Sequence, residues 1–335
     1  MHRLFALLLI LVSAVASAKD SAPFNPNGDP AQQAATFLKG TKLTALGGVK
    51  RIAFSQFRVE FSVENIGKAS SSSSAGWTAS RSDITLVGVS DELRQAIADQ
   101  LHDNLVKAQT DAGIEVLPYE TVSADANYQS MERIFRRTQE PVGMQAGKSV
   151  FVGAHGTPYY LTGDDKHIGL GTALGGFSTV QPQNIEPRMA ESLQATVLRA
   201  TMSVKFADLK SSGGMFHMSS SVKTTEALGW VPEQTQFLFV TPDNGRARIV
   251  LAKTILMPGD ILETRDTTTR GEKVTETAFN VLGGVLGTGG ARSTRHYLAT
   301  ANPDAYLVGV TEYGTALENS VVALLQPAIA GAAKK

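Results

Sequence analysis

The chain has 335 residues, with 31 basic and 31 acidic side chains and a formal net charge of zero. Its composition, 42% hydrophobic and 19% charged, is that of a folded globular protein. Zero net charge weighs against a protein whose main partner is nucleic acid, and the absence of cysteine rules out disulfides, Cys-ligated zinc, iron–sulfur clusters, thiol catalysis and a lipid-anchored Cys.

The N-terminus reads as an export signal over residues 1–18. Arg3 gives a positive start, Leu4–Val15 is an apolar run of twelve residues, and Ala16-Ser17-Ala18 is an A-x-A cleavage site. The run is short for a bilayer span, and no later segment is apolar over a spanning length. Cleavage after Ala18 removes Arg3 and leaves a net charge of −1. An exported chain without cysteine fits the bacterial periplasm or exterior, where nucleotide cofactors are scarce. No cofactor is expected.

Residues 19–48, with Pro23, Pro26 and Pro30, read as an N-terminal arm with a short helix at Ala31–Leu38. Val49–Val63 is rich in β-branched and aromatic residues and predicts a strand. Gly67–Ser82 contains the run Ser70–Ser74 and predicts a flexible, exposed connection. Trp77 at its end can anchor the loop or touch a partner. Ser90–Ala112 predicts a helix. Ser90 is its N-cap, Asp91 and Glu92 suit the positive end of the dipole, and Leu93, Ile97, Leu101 and Leu105 form its buried stripe. Gly113 ends it, and Ile114–Leu117 follows as a short strand. Strand, helix and strand make a βαβ-type unit with parallel pairing.

Tyr128–Arg137 predicts a second helix and Val150–Gly153 a buried strand. His155–Gln183 is a long glycine-rich loop of the kind that carries function. Ala195–Leu209 alternates. Leu198, Ala200, Met202, Val204 and Phe206 share a dry face, and Arg199, Thr201, Ser203 and Lys205 share a wet one. Asp208–Gly214 predicts a turn, with Met215–Thr224 returning antiparallel. Gln236–Thr241 and Arg246–Met257 are two further strands around the turn Pro242–Gly245. Gly283–Gly290 reads as a glycine loop, Tyr306–Tyr313 as strand-like, and Thr315–Gln326 as a closing helix. The expected organisation is one α/β domain over 49–326, or two parts dividing near 185, and a flexible tail over 327–335. The fold class is α/β (α+β): a mixed sheet with packed helices, a βαβ-type first half and a hairpin-rich second half.

No catalytic motif stands out. Gly169–Gly175 has the spacing G-x-G-x-x-x-G, but Asp164-Asp165-Lys166-His167 precedes it where a dinucleotide fingerprint needs a strand. Asp164, Asp165 and His167 could together hold a divalent ion, though an exposed charged turn is the plainer reading. The five histidines after the signal form no metal-spaced pair in the sequence. His102, one position past Leu101, reads as a half-exposed surface residue. Ser220-Ser221-Val222-Lys223 matches S-x-x-K but falls on a strand, where positions three apart face opposite sides. Pairs such as Glu60 and Glu64 leave a glycosidase reading open without support.

The order "VKRIAFSQF", "VSDELRQAIADQLHDNLVKA", "GIEVLPYETV" is similar to the start of the CsgG-like and TolB N-terminal type of bacterial envelope domain. The segment "ATVLRATMSVKFADLKSSGG" resembles the same family's later hairpin. The resemblance is a pattern of elements covering about half of the mature chain. It implies an envelope α/β domain without a catalytic site, in a group whose members act in secretion pores, envelope assembly and binding to other envelope proteins. The curli secretion channel is a lipoprotein, and this chain has no Cys to acylate, which puts a pore-forming role in doubt. The expected function is an exported, non-enzymatic assembly or binding module, with envelope proteins or further copies of itself as partners. The competing readings are a secreted hydrolase with its site in the 155–183 loop region, and a soluble relative of an outer-membrane ring.

Overall fold

Two long strands carry the fold, and both run past the limits that residue type suggests. The structure, a computed structural model, describes residues 23–73, 76–136, 139–162, 182–212, 221–232, 234–257, 260–269, 272–273 and 290–331. Strand β2 spans Arg51–Ser73 and β7 spans Thr196–Ser212. They pair in parallel from Ile52↔Thr196 to Phe61↔Val204. Beyond that stretch each takes a new partner. β2 pairs antiparallel with β3 (Gly76–Val87), and β7 pairs antiparallel with β8 (Ser221–Trp230).

The remaining strands extend this pair into a mixed sheet. On one side β9 (Gln236–Val240) adds antiparallel to β7, β10 (Arg246–Leu251) adds antiparallel to β9, and β1 (Leu38–Thr41) closes that edge antiparallel to β10. On the other side β13 (Gly290–Ala301) adds parallel to β3, and β12 (Leu262–Asp266) closes it. Strand β4 (Glu115–Val116) lies parallel to the start of β2, and β6 (Gly147–Gly153) lies antiparallel to its middle with β5 (Val142–Met144). A last short strand, β11 (Ile255–Leu256), pairs with β8. The fold class is therefore α/β with a mixed sheet.

Helix α2 (Asp91–Asp111) forms as its sequence dictates. The Ser90 hydroxyl accepts from the Leu93 amide at 3.2 Å, and Gly113 follows the helix with φ +82°. Ile97, Leu101 and Leu105 are fully buried. Each such side chain stabilises by about 1.5–3 kcal/mol. Helix α2 connects β3 to β4, and β4 lies parallel to β2, so the strand–helix–strand unit holds with β3 inserted before the helix.

Helices α1 (Pro30–Phe37), α2 and α6 (Pro303–Gly331) share the larger apolar core with the sheet. α2 and α6 run in the same direction. Asn104 donates to Thr315 Oγ1 at 2.7 Å, and Gly314 lies so close to Leu101 that a Cβ there would meet the leucine at 2.5 Å. Helices α3 (Tyr119–Ser123), α4 (Ala126–Ser130) and α5 (Pro182–Leu193) contribute to a second, smaller cluster.

Several expectations are corrected. The serine run is not a loose connection, because Ser70–Ser73 pair in register with Ala79–Gly76. Residues Asp208–Ser212 are not a turn but continue β7, paired with Thr225–Ser221. In both places the ladder hydrogen bonds, which do not depend on side-chain type, extend a strand that composition would end. The odd face of β7 is not wet. Arg199, Thr201 and Ser203 are buried.

Tyr128–Arg137 is not one helix. α4 ends at Ser130, a 3₁₀ turn covers Glu132–Ile134, and Arg136 bridges to Tyr159. Tyr306–Tyr313 is helix, not strand. Tyr306 and Val310 are buried while Val308 is exposed, a helical period. Asn302 caps this helix by accepting from the amides of Asp304 and Ala305, with Pro303 at its first position. α6 also runs through Pro327 to Gly331, and Gly48 N–H donates to the Ile329 carbonyl in its last turn. No element is expected from the sequence over Pro182–Leu193, where the structure has α5, nor over β12 and most of β13. Residues 1–22, Gly169–Gly175, His217, Ser220 and 274–289 lie outside the described residues. Among the described residues no helix is long and apolar enough to cross a membrane.

Candidate functional site

A bulge in β2 begins the site. Phe54 pairs with Leu198 and Gln56 with Arg199, which leaves Ser55 unmatched. The bulge turns Ser55 and Gln56 towards the same side. Ser55 Oγ donates to Glu186 Oε1 at 3.0 Å, and Gln56 Oε1 accepts from the Tyr160 amide at 2.7 Å. Tyr160 Oη also donates to Glu186 at 2.9 Å, and Arg199 Nε lies 3.4 Å from the same carboxylate oxygen. Burial pushes the Tyr160 phenol well above its ordinary pKa, with the Glu186 charge adding to the effect.

The polar row continues along β2. Arg58 Nη1 donates to the Tyr160 carbonyl at 2.6 Å, and its guanidinium lies 5.0 Å from the centre of the Phe151 ring. Glu60 accepts from Ser149 at 2.6 Å. Gln234, with its amide nitrogen turned to the carboxyl, donates to Glu60 at 2.8 Å. Burial raises the Glu60 pKa, against the bond from Ser149.

The bulge also forms one wall of a pocket of about 440 Å³. Phe54, Phe57, Tyr119 and Tyr128 supply aromatic surface, and Pro118 and Pro158 line it as well. The volume lies within the usual range for small-molecule sites, about 300–1,000 Å³. His102 and His155 line the same pocket.

Two elements bring these histidines together. On α2, Asp99 and Asp103 stand one turn apart, with His102 beside Asp103. Strand β6 ends at Gly153, where any side chain would strike the Thr157 carbonyl: a Cβ would lie 2.1 Å from that oxygen. The turn that follows puts His155 in the left-handed region, with φ +52°. That conformation costs a non-glycine residue about 1–2 kcal/mol. Two bonds to α2 hold it there. The His155 amide donates to Asp99 Oδ1, and His155 Nε2 lies 2.8 Å from Asp103 Oδ1. Gln95 in turn donates to Asp99 at 2.7 Å.

His102 Nδ1 lies 3.3 Å from the same Asp103 oxygen. Its ring packs 5.2 Å from Phe54, 5.4 Å from Phe57 and 5.2 Å from His155, centre to centre. Burial lowers the His102 pKa, against the bond to Asp103. For Asp103, burial works upward, but the bonds from His155 and His102 outweigh it and hold the carboxyl below its usual range. His102, Asp103 and His155 offer one ligand atom each, all within 4.8 Å of one another. The group can relay a proton through the Asp103–His155 contact, or donate two nitrogens and an oxygen to a cation.

The residues singled out from sequence fare differently. Asp164, Asp165 and His167 lie outside the described residues, as does the side chain of Trp77. His155 joins a cluster with Asp99, His102 and Asp103 on α2. Glu60 and Glu64 do not form a catalytic pair. Glu60 is buried against Ser149, and Glu64 pairs with Lys148 at 2.8 Å. His102 is half-buried, in keeping with its place on the helix flank, and its ring also packs against His155. Its signal was local: Asp99, His102 and Asp103 form a polar strip on the flank of an otherwise apolar stripe.

Comparison of the chain with protein-family models, curated proteins and solved structures finds no match.

Proposed function

We propose that this is an exported, non-enzymatic protein of the bacterial envelope that works as a binding or assembly module of the CsgG-like kind. The proposed seat for its ligand is the pocket between the β2 bulge and α2. The supporting observation is the pocket itself, aromatic on several sides and about 440 Å³ in volume. An aromatic cavity edged by polar groups such as Gln56, His102 and His155 suits the apolar side chains of a protein partner or a small amphipathic ligand. The export signal, the lack of cysteine and the order of elements support the envelope setting.

The test uses residues 19–335 and the amphipathic dye 1-anilinonaphthalene-8-sulfonate. Saturable binding at one site, lost when Thr157→Trp fills the pocket, is the expected result. Binding that is absent, or unchanged in Thr157→Trp, removes the pocket from the reading. Light scattering after size exclusion, with and without detergent, tests self-assembly. A discrete ring-sized oligomer supports the relation to an outer-membrane ring, and a monomer unaffected by detergent sinks it.

A secreted hydrolase is the second reading. The contact of 2.8 Å between His155 and Asp103 at the pocket favours it, since a carboxylate on one ring nitrogen orients a general base. A panel of nitrophenyl esters and glycosides decides between the two. Turnover abolished by His155→Gly would replace the binding reading with this one.

A further inference from the structure

We propose that His102, Asp103 and His155 form a binding site for a divalent transition-metal ion, with zinc the preferred cation. The argument does not depend on what the pocket binds.

Geometry carries it. Donor atoms around a tetrahedral zinc, each about 2.1 Å from the metal, stand about 3.4 Å apart. Asp103 Oδ1 already lies 3.3 Å from His102 Nδ1 and 2.8 Å from His155 Nε2. One carboxylate oxygen therefore sits between two imidazoles, and all three ligand atoms fall within 4.8 Å. Small rotations of the side chains close the set.

The backbone makes the approach possible. His155 reaches Asp103 from a left-handed turn that its bond to Asp99 and its contact with Asp103 tie to α2. Asp99 also lies 3.9 Å from His155 Nδ1, on the side of the ring away from the proposed ion. At that distance it makes no hydrogen bond to the ring, and its bond from the His155 amide is what sets where the imidazole is presented.

Chemistry selects the cation. Two of the three donors are imidazole nitrogens, which suit zinc and its transition-metal neighbours and do not suit calcium or magnesium. Three protein ligands leave a coordination position for water or a ligand. Both histidines also line the aromatic pocket, while Asp103 is exposed.

The test is isothermal titration of tag-free residues 19–335 with zinc chloride, and with magnesium and calcium chloride as controls. One saturable zinc per chain is expected, with no uptake of the other two. His155→Gly should abolish binding. Glycine accepts the left-handed turn without strain, so this variant keeps the fold while losing the donor. His102→Ala should also lose binding; if it fails to fold, His155→Gly still decides. Absence of saturable zinc binding by the wild-type chain, or equal binding by His155→Gly, overturns the proposal.

Discussion

On one face of β7, Leu198, Ala200, Met202, Val204 and Phe206 join the core shared with α2 and α6. On the other face Arg199, Thr201 and Ser203 are just as buried, beside Arg58, Glu60 and Glu186 on neighbouring elements. The second face holds charge because the charge is answered. Glu186 receives Ser55 and Tyr160 and faces Arg199, and Glu60 receives Ser149. The α6 side breaks this rule once. Glu318 on α6 is fully buried, and neither carboxylate oxygen has a hydrogen-bond partner among the described residues. Burial pushes its pKa well above the ordinary carboxyl range, so it is held as the neutral acid. Burial alone is thus a poor guide to whether a residue suits its site. The partners decide.

Four experiments press on that contrast. The largest effect is expected from Arg199→Met, which leaves Glu186 buried without its cation. Loss of one partner of a buried pair costs about 3–5 kcal/mol. Urea denaturation measures it, and Arg199→Met/Glu186→Leu should recover much of the loss. A single variant near wild type would mean that Ser55 and Tyr160 satisfy Glu186 unaided.

Glu318→Met should act in the opposite direction. Removing a buried group without hydrogen bonds should stabilise by about 1–3 kcal/mol at pH 7. Its pH dependence has a definite sign. The folded pKa is raised, so the contribution of Glu318 to stability is fully present below its unfolded value of 4.5. It declines as pH rises above that, towards the raised folded pKa. The advantage of Glu318→Met should therefore widen between pH 4 and 7 in parallel melts. A variant less stable than wild type at both pH values would show that the carboxyl has a partner of consequence.

Ser149→Ala removes a donor from Glu60 and should cost about 1–2 kcal/mol. Glu60 also has a raised folded pKa, and loss of the bond raises it further. The deficit should grow as pH climbs above 4.5 and nearly vanish below it. A deficit independent of pH would point to lost packing instead.

The smallest effect is local. The ladder from Ser70↔Ala79 to Ser73↔Gly76 should slow amide exchange on both strands relative to the rate of an unstructured peptide of the same sequence. Exchange as fast as in the unstructured peptide would return the serine run to a loop.

Helix α2 was legible because its signals are local. The hydroxyl at Ser90, the stripe at Ile97, Leu101 and Leu105, and Gly113 all lie within a few turns of one another. The turn between β9 and β10 was readable for the same reason. Helix α6 was half legible. Its cap is written in Asn302-Pro303-Asp304, but the aromatic and β-branched residues of Tyr306–Tyr313 favour a strand until burial shows the helical period. The ends of β2 and β7 were not readable, because serines and a D-L-K-S-S run belong to a strand only when a partner is in register.

The site divides in the same way. His155 stood out as a loop histidine, yet its partners Asp99, His102 and Asp103 come from a helix more than fifty residues earlier, on the far side of β4, β5 and β6. No spacing rule reaches that far. By itself the sequence determined what neighbouring residues settle among themselves: the α/β composition, α2 with its cap and stop, and the dry face of β7. Only the tertiary structure decided which buried charges have partners, how far the strands run, and that α2 and the turn after β6 meet over an aromatic pocket. Those depend on which surfaces are brought together, and hydrogen bonds and desolvation act across space without regard to distance along the chain.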